Sequence, residues 1–517
     1  MTTDDILAKL SQPSGTYREI LSDWAALQPG HTALIDSHGR VSWAEMMDRA
    51  ERIAARLRAT GLQPGQAVAI LGTSTSNYAL VFLAAVLAGG VAAPLTTSAS
   101  PAQLAGMASD SGARHLFIDR AKLTELGAGF MPGMERIVLG EDLSDWMAPS
   151  GSAPGMGRPG ADAPFNIIYS SGTTGIPKGI VHSHRMRWRQ FAPTAASYLG
   201  SGRKTRSLTS TPLYSNTTMA AFLPALLAGG TVTIMEKFDT RAWLAAAEHG
   251  RITTTMLVPV QYQRLMDEPA FDAYDLSHLA IKYCTSAPFS AALKAEVLQR
   301  MPGALIEIYS MTEGGVVCLL YAHEHPDKLH TVGTPAPGSE VRVMGRDGNV
   351  LGPGETGALI GRGPAMMSGY RNQPEKTSQA QWIDPETGKW WMRMGDIGRI
   401  DADGFVELVG RAKDMIISGG FNIYPVDLET ELLKEKGVIE AAVIGMPSRK
   451  WGETPVGFVT VDSGTSSDTI LSAVNARLGK TQRLAMLHII AEMPRSHIGK
   501  LLKTQLREDA ARRGLPD

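Results

Sequence analysis

The chain has 517 residues, 44% hydrophobic and 20% charged, a balance that suits two to four folded domains and excludes a disordered chain. Fifty Lys and Arg against 51 Asp and Glu leave a net charge of −1, so no global field draws the chain to nucleic acid or anionic lipid. Two cysteines, Cys284 and Cys318, in no C-x-x-C spacing exclude a disulfide scaffold and a cysteine metal site and fit a reducing cytoplasm. The start, Met1-Thr2-Thr3-Asp4-Asp5, does not read as a signal peptide. Glycine is in excess, with 54 residues, which points to many sharp turns or close backbone approaches.

In chain order, the first clear helix opens at Ser42. A capping box with Glu45 starts it, Met47, Ile53, Ala54 and Leu57 form its apolar face, and Gly61 stops it. The longest apolar stretch, 78–95, is interrupted by Gly89-Gly90 and Pro94, so it reads as a buried helix, a glycine turn and a strand, with no membrane span. Its text recurs: VLAGGVAAPL at 86–95 and LLAGGTVTIM at 226–235 both set Gly-Gly between a helix end and a strand. Two related α/β subdomains, or one generic turn used twice, would each produce this. Residues 149–164, PSGSAPGMGRPGADAP, are too rich in Gly and Pro to pack and read as a surface connection. Helices and strands alternate to about residue 320, which predicts a layered α/β core. From 331 to 411, short strands with turns at Gly352-Pro353-Gly354 and Asp403-Gly404 predict a small β unit. After Arg411, a helix at 426–434, strands at 441–444 and 458–461, a helix at 468–478 and a strand at 487–490 predict a small α+β domain.

The sharpest local feature is YSSGTTGIPKG at 169–179, after an apolar strand at 165–168. Gly172, Gly175 and Gly179 let backbone N–H groups turn toward an anion, Ser170, Ser171, Thr173 and Thr174 add hydroxyl donors, and Lys178 adds a charge. The set suits a polyphosphate. It is not a Walker loop, because Pro177 stands where the second glycine should fall and no Ser or Thr follows Lys178.

This loop resembles that of the adenylate-forming, AMP-binding superfamily, which holds acyl-CoA and aryl-CoA synthetases, nonribosomal adenylation domains and firefly luciferase. The resemblance extends, in the family's order, through TPLYS at 211–215, TSAP at 285–288, YSMTEGG at 309–315, MGD at 394–396, GRAKDMIISGGFNIYP at 410–425 and PRSHIGK at 494–500. It implies an α/β fold, with a large N-terminal domain of layered subdomains and a β unit over 1–411 and a small mobile α+β domain over 412–517. It also implies two half-reactions. A carboxylate attacks the ATP α-phosphate to give acyl-AMP and pyrophosphate, and a thiol, here CoA, then displaces AMP.

Roles carry over by motif. Lys500 would bridge the acid and the α-phosphate; an ammonium about 4 Å away contributes on the order of 4 kcal/mol at an effective dielectric of ~20. On spacing alone it reads as a solvated basic residue leading into an amphipathic helix at 501–508, and the resemblance reverses that reading. Glu313 would hold Mg²⁺, a hard cation suited to a carboxylate. Thr312 would touch the α-phosphate, and Tyr309 would stack on adenine with 285–288, including Ser286 and Ala287, on its other face. Asp396 and Arg411 would take the ribose, although Met394 replaces the family's usual threonine. Lys413 would be the hinge of the C-terminal domain. Gly419 and Gly420 would line the pantetheine tunnel and Trp451 would pack near the nucleotide end of CoA. Lys480 and Arg483 would stand in for the family's Lys-x-Pro segment.

For the acid pocket, Ser215 replaces a common histidine or aromatic gate, Ile308 stands where long aryl pockets have glycine, and Ser310 replaces a second glycine. With Asn216, Thr217, Ser286 and Val316 this predicts a compact, partly polar pocket for an aryl acid of benzoate or hydroxycinnamate size, or a short to medium fatty acid. A ligase for long-chain acids, an adenylating enzyme loading a carrier protein in trans, a luciferase-like oxidase and a nucleotide-binding regulator without catalysis are the competing readings. The partners implied are ATP, CoA and a small carboxylic acid, in the cytoplasm, and a homodimer is compatible with the resemblance.

Overall fold

A computed structural model describes residues 1–127, 129–155, 159–170, 178–418, 421–449, 451–462, 464–479, 482–496 and 499–514, and only the backbone of Glu141, Ser170 and Asn422. Two large sheets enclose a shared helical core. The seven-stranded sheet has five parallel strands, Val91–Pro94 and Ala67–Leu71 among them, and ends in the antiparallel pair Pro164–Ser170 and Lys178–Ser183 with Gly369–Tyr370 at its edge. The nine-stranded sheet is parallel in its centre, through Thr254–Leu257, Ile281–Cys284 and Ala304–Met311. It then turns antiparallel at Gly314–Tyr321.

The helices between the sheets form where the sequence signals them. Ser42 caps helix Trp43–Ala59 with the reciprocal Glu45 bond, and Gly61 follows its end with φ +94°. Helix Ser76–Leu87 is buried on all faces, as a helix apolar all round must be. It lies in one apolar cluster with helix Asn216–Leu227. The repeated text gives the same turn in both sheets. Gly89 (φ +71°) and Gly229 (φ +69°) leave the helix, and Gly90 and Gly230 donate to Ala85 O and Ala225 O at 2.9 Å. The strands that follow, Val91–Pro94 and Thr231–Ile234, enter different sheets.

The β unit is a five-stranded antiparallel sheet of Glu340–Met344, Gly357–Arg362, Gln381–Ile383, Trp390–Ile400 and Val406–Arg411. Two short strands in the same stretch leave it: Thr334–Pro335 joins the nine-stranded sheet and Gly369–Tyr370 the seven-stranded one. The small C-terminal domain carries helices Pro425–Leu432, Ser467–Arg477 and Lys503–Arg513 on a five-stranded sheet, with long strands Val438–Ser448 and Gly452–Val461. Its first two strands, Ile416–Ser418 and Phe421–Ile423, pair antiparallel, a hairpin that no alternation in the sequence announces. Among the described residues no helix is long and apolar enough to cross a membrane.

One buried ion pair fixes the strand that leads to the site. Lys294, on helix Ala291–Arg300, pairs with Glu307 on strand Ala304–Met311, and its ammonium also donates to Leu329 O (2.8 Å) and Thr331 O (2.9 Å). Lys294→Met strands a buried carboxylate and two carbonyls, so it should cost about 3–5 kcal/mol, read as a lowered thermal unfolding midpoint. An unchanged midpoint would show the pair to be dispensable.

Candidate active site

The YSMTEGG segment forms the end of strand Ala304–Met311, a Thr312–Glu313 turn and the start of strand Gly314–Tyr321. The glycines have positive φ, +93° and +86°, and no room for a side chain: a Cβ on Gly314 would lie 2.0 Å from Ala365 O. Tyr309, half-buried, donates its hydroxyl to Asp396 Oδ2 at 2.6 Å, and Arg411 Nε meets Asp396 Oδ1 at 2.8 Å. Asp396 and Arg411 face each other across antiparallel strands, so the pairing register itself sets the ion pair. Asp396 is 5% exposed. Burial raises its pKa, and Arg411, the Tyr309 hydroxyl and the Lys500 charge oppose the rise. A carboxylate accepts about four hydrogen bonds, so Asp396 keeps capacity for vicinal hydroxyls beside these two partners. Met394, where the family has threonine, is fully buried in the apolar cluster below, against Gly315.

Glu313 accepts from the Tyr370 hydroxyl at 2.9 Å, and Lys178 Nζ stands 4.9 Å from the centre of the Tyr370 ring. Tyr370 thus joins two residues that the sequence reading assigned separately, and itself escaped it. Turn-rich text around 368–374 announces a bend, and nothing in it says where the phenol goes. Among the described residues no group of three or more His, Cys, Asp or Glu could hold a metal alone. Glu313 offers one carboxylate with one oxygen bonded to Tyr370, which fits a hard cation whose other ligands are phosphate oxygens and water.

The C-terminal domain brings Lys500 into this group. Gly499 (φ +74°) sits against helix Pro259–Met266, where a Cβ would lie 2.5 Å from Val260 Cγ1. The loop is held by Ser496 N–H to Lys500 O (2.8 Å) and Arg495 to Gly499 O (2.9 Å). Lys500 remains exposed overall, yet the surrounding protein removes enough water, and Arg411 and Lys413 add enough like charge, to hold its pKa below the ordinary 10.5. Asp396 and Asp414 pull the other way. Lys413, in the short turn Ala412–Asp414, is depressed by desolvation and then by Arg411, Arg507 and Lys178, against Asp414. Lys178, Arg411, Lys413 and Lys500 therefore form one cationic field, ready for a polyanion.

The acid-pocket candidates gather on one side. Thr217 and Ser286 hydroxyls pair at 2.5 Å, Thr285 donates to Ile308 O at 2.7 Å, and Ser215 caps helix Asn216–Leu227. Asn216 Oδ1 is buried with no hydrogen-bond partner among the described residues. Ser286 has φ +82°, a rare conformation for a residue with a side chain, next to half-buried Ala287. Ile308 and Ser310 are half-buried, with the Ser310 hydroxyl 3.4 Å from Met311 O. Val316 lies elsewhere: it is fully buried in the apolar cluster with Ile180, Met392 and Met394, packed against Gly361. Trp451, 47% exposed, is in the turn after strand Val438–Ser448, and Arg483 is exposed. Ser171, Gly172, Thr173, Thr174, Gly175, Gly419, Gly420 and Lys480 lie outside the described residues, and Ser170 is placed by its backbone, paired with Lys178.

With this geometry in place, two family models account for most of the chain: AMP-binding enzyme over residues 21–371 and AMP-binding enzyme C-terminal domain over 427–500. The chain belongs to the AMP-binding enzyme family. It is similar to a feruloyl-CoA synthase of Amycolatopsis sp, with 34% identity over 93% of this chain and 96% of that enzyme. It is also similar to an indoleacetate–CoA ligase of Aromatoleum aromaticum, with 31% identity over 95% and 98%. Among solved structures, ATP-bound MatB from Rhodopseudomonas palustris superposes with a TM-score of 0.84 at 29% identity, over 96% of this chain and 99% of that one.

The strained Ser286 gives a test of the pocket. Ser286→Gly relieves a positive φ and should raise stability by about 1 kcal/mol, while removing the hydroxyl that Thr217 meets. We expect a higher unfolding midpoint together with weaker discrimination between acids that do and do not carry a polar ring substituent. A lower midpoint would argue that the hydroxyl pair outweighs the strain.

Proposed function

We propose that this AMP-forming acid–CoA ligase activates an aryl acid of hydroxycinnamate or benzoate size, in the cytoplasm. The observation that carries the reading is the meeting of Lys500, from the C-terminal domain, with the Tyr309–Asp396–Arg411 group of the N-terminal domain. Similarity to the feruloyl and indoleacetate ligases supports an aryl acid. So do the Thr217–Ser286 pair and the unpartnered Asn216 oxygen, which favour a polar substituent on the ring.

In the first half-reaction a carboxylate oxygen attacks the α-phosphorus and pyrophosphate leaves. Asp396 and Arg411 hold the ribose, Tyr309 stacks on adenine against 285–288, and Thr312 contacts the α-phosphate. Lys178 and Lys500 offset the charge that gathers where two anions meet. Glu313 and phosphate oxygens would hold Mg²⁺, which supplies charge neutralisation on the leaving group. In the second half-reaction the CoA sulfur attacks the acyl carbon and AMP leaves.

The division at 411/412, with Lys413 as hinge, belongs to the same reading. Two features support it. Asp414 is tied to Arg507 of helix Lys503–Arg513 at 2.9 Å, so the chain from Asp414 onward belongs with the C-terminal domain and Lys413 stands just before it. Ile417, Phe421 and Trp451 stand 51%, 59% and 47% exposed on that domain, an apolar surface that a second pose would cover.

Acid-dependent ATP–pyrophosphate exchange and CoA-dependent AMP release should be measured against aryl, short, medium and long acids. Hydroxycinnamates should give the highest kcat/KM; palmitate as the best substrate would overturn the compact pocket, and a carrier protein accepted in preference to CoA would overturn the acceptor.

Lys500→Ala should abolish adenylation and spare thioester formation from supplied acyl-AMP. Equal loss of both half-reactions would remove the role given to Lys500. Because the depressed pKa lets Lys500 lose its proton below the ordinary lysine range, adenylation should fall on the alkaline side before pH 10.5. Lys500→Arg should move that limb to higher pH.

A further inference from the structure

The Thr312–Glu313 turn is held at three points, all from one edge of the seven-stranded sheet and the segment leading into it. Met367 N–H donates to Glu313 O at 2.8 Å, Tyr370 donates to the Glu313 carboxylate at 2.9 Å, and His182 Nε2 lies 2.8 Å from Thr312 O. The first two belong to the segment that adds Gly369–Tyr370 to strand Lys178–Ser183; the third comes from that strand itself.

His182 is fully buried, and behind it lies Arg187, also fully buried, on helix His184–Gly200. The guanidinium points one nitrogen at each of three neutral acceptors: Asn166 Oδ1 (2.8 Å), Gln190 Oε1 (2.7 Å) and His182 Nδ1 (2.7 Å). Among the described residues no carboxylate pairs with it, and burial pushes its pKa down to about 9. A buried cation without a counter-charge is a poor way to stabilise a core. It is an effective way to fix an imidazole. Arginine can only donate, so His182 Nδ1 must accept; the ring proton is then on Nε2, where it donates to the Thr312 carbonyl. Burial and the Arg187 charge both keep that ring neutral.

We propose that His182, locked in one tautomer by Arg187, is a positioning residue for acid activation: it fixes the Thr312 carbonyl and thereby the aim of Thr312 and Glu313 at the nucleotide phosphates. The inference rests on the assignment of those two residues to the phosphates. The strand that starts at the phosphate-loop lysine thus also holds the turn opposite it, so the two walls of the site keep one spacing.

The test uses the full-length enzyme and its best acid. His182→Leu removes donor and acceptor at similar volume, whereas His182→Gln can accept from Arg187 and donate to Thr312 O in one side chain. We expect His182→Leu to lower kcat for ATP–pyrophosphate exchange about 10²-fold, the scale of an ångström-level misplacement. Thioester formation from supplied acyl-AMP, which involves no pyrophosphate, should change less than about tenfold, and His182→Gln should restore exchange with no matching gain in unfolding midpoint. Wild-type exchange in His182→Leu, or exchange as slow in His182→Gln as in His182→Leu, overturns the proposal. So does a parallel fall of both half-reactions with the midpoint. If His182→Leu does not fold, His182→Asn, too short to span both partners, replaces it; full exchange in that variant overturns the proposal too. Glu313→Gln separates the two levels: if it retains exchange, the assignment of the turn to the phosphates fails, whatever His182 does.

Discussion

Asp396 is a carboxylate kept almost dry at the point where the small β sheet meets the nine-stranded sheet, and the arrangement of the site follows from what that costs. An anion taken out of water needs partners, and each of its partners comes from a different part of the chain: Tyr309 from the nine-stranded sheet, Arg411 from the strand that ends the β unit, and the charge of Lys500 from the C-terminal domain. Satisfying one buried charge therefore registers three structural units against one another. The Lys294–Glu307 pair performs a similar service two residues before Tyr309, anchoring that strand from behind.

Much of this organisation is written locally and could be read locally. The capping box at Ser42, the Gly-Gly turns at 89–90 and 229–230 and the change from helix–strand alternation to short strands near 331 are features of contiguous text. Local physics decides them: a cap bond three residues long, a positive φ, an apolar period. The candidate site is marked in another way, through ordered motifs whose spacing only a family resemblance interprets. Those motifs name Tyr309, Asp396, Arg411 and Lys500, up to 191 positions apart (500 − 309), and the structure places them near one another.

What escaped the sequence reading is what depends on tertiary register. His182 bonds a residue 130 positions away and Tyr370 one 57 positions away, and no periodicity connects either pair. Arg187 looks like a surface residue in the basic run at 185–189, yet the helix turns it inward to three neutral acceptors. Val316 is hidden for a related reason. With Gly315 beside it and Gly361 across from it on the β unit, the small β sheet closes over the strand and buries Val316 fully, a contact that motif spacing does not announce.

The cationic field has a dynamic corollary. Lys178, Arg411, Lys413 and Lys500 repel one another, and Lys413 and Lys500 are already depressed in basicity, first by lost water and then by that crowding. A polyanion placed among them would be attracted from both domains at once, the two sharing one counter-charge. Without it only Asp396 and Asp414, among the described residues, offset the like charges, so electrostatics holds the two domains together less firmly around an empty site than around a filled one.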